Sequence, residues 1–240
     1  MEHLKSILFI DIETVPMAEY YNGLTEPMQK EWNRKAKLIK NAAEGRDEPS
    51  ALFEDRAGVF SEFAKVVVIG IGYLAEKGGK WVMRLKSLAH EDEKILLTQF
   101  LEIIDHFSSR YKDFRFCGHN IKEFDIPFLC RRLLINGLPL PSSMNVSGKK
   151  PWEVNHIDTM EMWRFGDYKN FTSLSLLAAV FGIPSPKEDI DGSMVAGVFY
   201  KEKDLPRIAK YCMQDVYTSA KVYLRLSNIT DIQPEAEYVA

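Results

Sequence analysis

Two acids one residue apart, Asp11 and Glu13, follow the apolar run Ile7 to Ile10. Such a run reads as a buried strand. Alternation along a strand puts residues i and i+2 on one face, so both carboxylates project from the strand end toward one point. Two anions about 4 Å apart repel by roughly 4 kcal/mol at an effective dielectric near 20. A fold keeps such a pair if they share a proton, bind a cation or are screened by water. A solvated strand end satisfies the last condition and a metal site the second. Two later segments add acids. Asp125 opens a helix after the loop Gly118 to Phe124, with Pro127 in the first turn. An N-cap is one reading of that position. Asn120 and Phe124 support another, because a half-exposed ring beside a carboxylate gives a nucleobase something to stack on. In the last helix Tyr211 and Asp215 stand four apart and share a face. Ile208, Cys212, Tyr217 and Val222 can supply the apolar faces there, leaving Asp215 to look toward the sheet end.

The chain has 240 residues, 46% hydrophobic and 27% charged, which suits one well-buried α/β domain. The longest apolar stretch, Val66 to Leu74, is strand-sized and carries glycines, so no membrane span is expected. No basic-then-apolar leader is visible. Cys117, Cys130 and Cys212 show no C-x-x-C spacing and read as buried thiols of a reducing compartment, which predicts a cytoplasmic protein. A net charge of −3 does not announce a nucleic-acid binder, but a basic rim around an acidic centre gives the same total.

The elements that must position these acids follow from periodicity. A first strand spans about Lys5 to Ile12. Residues from about Pro16 to Ala64 then read as a charge-rich insertion, with helices near Gln29 to Asn41 and Leu52 to Phe63. Its lysines suit either a solvated helix face or a phosphate backbone. Val66 to Tyr73 is a central strand, paired through Lys77-Gly78-Gly79 with a strand at Trp81 to Leu85. His90 to Phe107 is an amphipathic helix with acids in its first turn. Phe114 to Cys117 is the fourth strand, and Ile126 to Ile135 a helix stopped by Gly137. His156 to Thr159 is the fifth strand. Thr172 to Phe181 is a helix capped by Thr172 or Ser173, and Leu205 to Leu226 the last long helix. A mixed five-stranded sheet with helices on both faces, in one domain over 1–240, is the expected α/β architecture.

In order, D-I-E at Asp11 and Glu13, N-x-x-x-F-D at Asn120 to Asp125, and Y-x-x-x-D at Tyr211 to Asp215 resemble the three motifs of the DEDD 3′–5′ exonucleases. These belong to the DnaQ-like, ribonuclease H-like superfamily. Tyrosine four residues before the last Asp is similar to the DEDDy branch; Lys210 fills the place where a sister group carries histidine. The second motif looks most like the exonuclease domain of family B DNA polymerases, and the length of 240 residues leads us to expect a free-standing relative of that domain. The long insertion departs from that pattern. The resemblance implies a ribonuclease H-like fold and a two-metal site for Mg²⁺ or Mn²⁺, matching an all-oxygen donor set. It implies that Asp11 bridges both ions, that Glu13 and Asp215 complete the site for one, and that Asp125 serves the other. Tyr211 would orient the attacking water; an ordinary tyrosine pKa near 10 is too high for a base at neutral pH. Thr14, Asn120 and Phe124 would hold the terminal nucleotide of a single-stranded 3′ end, DNA being favoured over RNA, with nucleoside 5′-monophosphates released. A binding module without catalysis is the alternative of another class. Asp158 suits either support of the site or the surface. Asp189 and Asp191 suit a solvated loop, Lys149 and Lys150 either a strand path or solvent, and His119 a structural role.

Overall fold

The computed structural model describes residues 1–39, 48–167, 169, 171–184 and 190–239. Its centre is a strand pair rich in β-branched and aromatic residues, β1 (Ile7–Pro16) and β2 (Ala64–Lys77). They run antiparallel from Phe9↔Gly72 to Pro16↔Ala64, with an irregularity between Glu13 and Thr14. A hairpin turn at Gly78 and Gly79, with φ of 58° and 77°, leads to β3 (Lys80–Ala89). Two central residues with positive φ match the twist of the flanking strands, which makes glycine the fitting residue at both. β4 (Arg115–Gly118) pairs parallel with β1, and β5 (Ile157–Asp158) pairs parallel with β4. The sheet order is β5-β4-β1-β2-β3-β6.

The sixth strand corrects the expected five. β6 (Glu235–Tyr238) adds parallel to the outer edge of β3, where Glu237 meets Lys77 at 2.9 Å. The expected end of the first strand is also corrected. β1 continues four residues past Ile12 because β2 is long enough to pair with it throughout, so Asp11 and Glu13 lie inside a strand.

Residues between β1 and β2 carry α1 (Glu26–Ala36) and α2 (Pro49–Arg56). They enclose a small aromatic core in which Trp32 meets Phe53 and Phe63 edge-on, its Nε1 donating to the Pro49 carbonyl at 2.6 Å. The expected helix end at Asn41 lies outside the described residues. α3 (Glu93–Arg110) is capped by the Asp92 side chain. With α4 (Asp125–Ile135) it covers the sheet face bearing Leu8, Ile10, Ile12, Ile69 and Ile71.

Three short helices follow: α5 (Thr159–Arg164), α6 (Leu174–Val180), whose Ser173 is the cap, and α7 (Val195–Gly197), which runs on into a π-helical turn. α8 (Leu205–Leu226) is capped by Asp204 and covers the opposite face through Cys212, Val216, Ala220 and Tyr223, packed against Phe9, Val67, Val68, Leu74 and Leu85. Among the described residues, no helix is long and apolar enough to cross a membrane.

Candidate active site

Alternation divides β1 between two jobs. Ile10 and Ile12 enter the core under α3 and α4, while Phe9, Asp11, Glu13 and Val15 face α8. What brings α8 close is a missing side chain on β2. A Cβ on Gly70 would lie 2.9 Å from both Cys212 Sγ and Val216 Cγ2. With glycine there, Cys212 Sγ donates to Asp11 Oδ2 at 3.2 Å and approaches its carbonyl at 3.4 Å. Oxygens of Asp11 and Glu13 and the Cys212 sulfur all lie within 4.8 Å of one another. Asp215, one turn further along α8, adds its negative charge to the group around Asp11.

The fourth acid arrives from the other edge of β1. β4 pairs with β1 only from Ile7 to Phe9. Beyond Phe9 that ladder has ended, and the Ile12 N–H donates instead to Asp125 Oδ1 at 3.1 Å. Asp125 is therefore no plain N-cap: it is buried in the first turn of α4 and reaches sideways to β1. Gly118 allows the tight crossing, since a Cβ there would sit 2.5 Å from the Ile10 carbonyl oxygen.

Burial, then Glu13, Asp215 and Asp125, hold the Asp11 carboxyl well above the usual aspartate range. Burial raises Asp125 to about 7, against the lowering effect of its own N–H and that of Ile12. Burial followed by Asp11 raises the Cys212 thiol well above its ordinary value. Oxygen-rich and negative, the cluster suits a hard cation, whose charge would offset these repulsions.

The remaining candidates sit around this point in different ways. Tyr211 packs beside the cluster formed by Val15, Val68, Ile208 and Cys212. Thr14 directs its hydroxyl away to the Gly58 carbonyl at 2.7 Å, so its side chain is engaged by the segment between β1 and β2. Phe124 is half-buried, its ring 5.4 Å from Phe128. Asn120 has φ of 64°, a strained choice for a residue with a side chain, and its buried Oδ1 has no partner among the described residues.

Asp158 is buried, not a surface acid. Its carboxylate accepts N–H bonds from Asn120, Lys122 and Met160 at 3.0 Å and from Glu161 at 3.3 Å. It thus caps α5 and fixes the loop that carries Asn120 and Phe124. His119 bridges Thr159 and the Thr172 carbonyl at 2.9 and 2.8 Å, the structural role expected of it. Asp191 is an exposed turn acid bonded to Ser193, and Asp189 lies outside the described residues.

Residues 59–240 match the family described as a predicted 3′–5′ exonuclease related to the exonuclease domain of PolB. The chain belongs to this exonuclease family. Asp125 and Asp215 lie inside the matched residues; Asp11 and Glu13 precede them and join the site through the sheet. A DNA polymerase of Pyrococcus glycovorans is similar, 28% identical over 172 residues that make up 64% of this chain and 21% of the polymerase. The chain thus spans about a fifth of that relative's length. The six-stranded mixed sheet of this exonuclease family member agrees with a ribonuclease H-like fold.

Proposed function

We propose that the protein is a metal-dependent 3′–5′ exonuclease acting on single-stranded DNA, with Asp11, Glu13, Asp125 and Asp215 as the ligands of two Mg²⁺ or Mn²⁺ ions. The observation that carries this reading is the convergence of charge on Asp11: Glu13, Asp215 and Asp125, from β1, α8 and α4, all raise its carboxyl. Four acids gathered from three elements are costly without a cation. Asp11, Glu13 and Asp215 would hold one ion, and Asp11 with Asp125 the other. When bound, such ions supply the Lewis acidity that activates water and stabilises the leaving 3′ oxygen.

The chain's own residues do the rest. Tyr211 orients the attacking water through its hydroxyl. The Asn120 amide, the Phe124 ring and the Thr14 backbone hold the terminal nucleotide. The products are nucleoside 5′-monophosphates. The four acids and the tyrosine belong to one domain over 1–240, in which the segment between β1 and β2 is an insertion. Three cysteines, none of them in a disulfide, suit a reducing cytoplasmic setting.

The test uses purified protein with 3′-labelled and 5′-labelled oligonucleotides of DNA and RNA, with Mg²⁺, with Mn²⁺ and with EDTA. Shortening from the 3′ end of single-stranded DNA, abolished by EDTA, is expected. Full activity in EDTA, or shortening from the 5′ end, would overturn the reading, and faster loss of RNA would reassign the substrate.

A further inference from the structure

Beside the β4–β5 edge lie two adjoining cavities of about 550 and 1070 Å³, neither lined by any of the four acids. They share His156, Val146, Lys149 and Val154. His156 is only 9% exposed, and neither ring nitrogen has a hydrogen-bond partner among the described residues. A buried donor and acceptor without partners is a standing cost. Its ring packs edge-on against Phe116 at 5.4 Å, which holds it at the seam between the cavities. Burial, with Lys122 and Lys149 nearby, lowers its pKa to about 4, so at neutral pH it offers one donor and one acceptor.

The smaller cavity has the size of a small-molecule pocket and a consistent chemistry. Ile126, Val146 and Val154 give it apolar walls, and Trp152, 76% exposed, stands at its side with Lys150 Nζ 5.3 Å from the ring centroid. Its charges cancel. Lys122 is held by Glu161 and Arg164 by Glu123 at 2.5 and 3.0 Å, and the remaining cation and anion of the lining, Lys149 at the exposed rim and the buried Asp158, are equal in number. A wall without net charge does not select a phosphate. It suits a flat, neutral heterocycle with a hydrogen-bonding edge, carried on a backbone whose phosphates meet the exposed Lys149 and Lys150.

The cavity also adjoins the proposed site. Lys122 and Glu123 in its wall lie between Asn120 and Phe124, and the Asp158 carboxylate that lines it accepts from both the Asn120 and the Lys122 N–H. We propose that this cavity binds a base of the substrate's single strand, away from its 3′ end, stacked on Trp152 and hydrogen-bonded to His156. This rests on the exonuclease reading for the direction of the strand, not for the existence of the site.

Two variants test it. Trp152→Ala removes an exposed ring. His156→Phe keeps a ring against Phe116 and deletes the two nitrogens, so it should melt no lower than wild type. Binding is read in EDTA by anisotropy of 5′-labelled oligothymidine and oligouridine, from two to about twelve nucleotides, a range that brackets single-strand site sizes. The expected result is a loss of about 10-fold for Trp152→Ala on the longer oligomers and of about 5-fold for His156→Phe, both shrinking for the dinucleotide. Quenching of tryptophan fluorescence by the long oligomers should vanish in Trp152→Ala. Wild-type affinity in both variants at every length overturns the proposal, as does a failure of the wild type to bind. Length-dependent losses without any shortening in Mg²⁺ or Mn²⁺ leave the cavity in place and sink the exonuclease reading. Normal shortening with unchanged binding does the reverse.

Discussion

Glu93 and Asp11 are acids of the same sheet sandwich with opposite surroundings. Glu93, 7% exposed at the start of α3, accepts from Arg132 Nε at 2.9 Å and Nη2 at 2.5 Å, from Asn136 Nδ2 at 2.8 Å and from the Val66 N–H at 2.8 Å. Arg132 in turn donates to the Ser61 carbonyl at 2.8 Å. Asp158 solves the same problem without a cation, through four backbone N–H groups. Around Asp11 the neighbours are three more acids and a thiol. The difference teaches where to look for function: this fold satisfies the buried carboxylates that hold it together and concentrates charge around Asp11, opposite α8.

The sharpest way to break that comparison is to remove each acid in turn. Asp11→Ala should lower oligonucleotide hydrolysis by about 10³-fold or more, since Asp11 is proposed as a ligand of both ions and its loss would disturb the two together. In EDTA it should melt no lower than wild type, because a repulsion goes with it. A normal rate in a folded Asp11→Ala protein would move the site elsewhere. Asp191→Ala is the contrast and should change little. Arg132→Ala should do the opposite: a stability loss of about 3–5 kcal/mol by denaturant titration, from leaving Glu93 buried and uncompensated. Replacing the pair together, Glu93→Leu with Arg132→Met, should recover much of it. If Arg132→Ala costs nothing, Glu93 is no better satisfied than Asp11 and the contrast fails.

A pH series in EDTA separates the two kinds of acid again. Asp125, raised to about 7, and Asp11, raised well above its usual value, bind more protons in the folded chain than in the unfolded one. Stability from these groups is full below about pH 4 and is lost as pH rises through their folded values, to about 7 for Asp125. His156, lowered to about 4, acts with the reverse sign: its contribution is present above 6.5 and is lost as pH falls toward 4. From about pH 6.5 to 7.5, then, the carboxylates dominate this set, and the melting temperature should fall. Added Mg²⁺ or Mn²⁺ should raise it more at the upper end. Equal metal stabilisation across that window would detach the cation from these acids.

Much of this contrast could be read before the fold was known, and the unread part has physical reasons. The long apolar or amphipathic segments Val66 to Tyr73, His90 to Phe107, Ile126 to Ile135 and Leu205 to Leu226 each bury a face, so their periodicity marks them. β6, with the sequence Glu235-Ala236-Glu237-Tyr238, buries little and pairs only along an edge, so nothing in its composition announces a strand. α5 follows a strand of two residues and is six residues long, too short for a helical period to register. Taken alone, Asp125 reads first as a cap, because sequence does not say that β4 stops pairing at Phe9 and exposes the Ile12 N–H. By composition Cys212 belongs to the apolar side of the last helix. It lies three residues before Asp215 and so shares that acid's face, a signal available from spacing, but its approach to Asp11 depends on Gly70 across the sheet.

The smallest expected effect concerns Tyr211, which lies against the cluster without being proposed as a ligand. Tyr211→Phe removes one hydroxyl and keeps the ring among Val15, Val68 and Ile208, so α8 should stay in place. A positioned proton-handling group is typically worth about 10²–10⁴-fold; an orienting hydrogen bond should fall at or below the lower end. Metal-induced stabilisation should persist, which separates this variant from Asp11→Ala. The competing base is histidine, and His119 lies beside the Asn120 loop, with burial holding its pKa below the usual value. Its two ring nitrogens are tied to the Thr159 hydroxyl and the Thr172 carbonyl, so His119→Gln should leave the shape of the pH–rate profile unchanged. Single-turnover rates from about pH 6 to 9, which spans the histidine range, decide between them. A flattened profile in His119→Gln, with Tyr211→Phe at the wild-type rate, would hand the water to the histidine side of the loop and leave the tyrosine a packing residue.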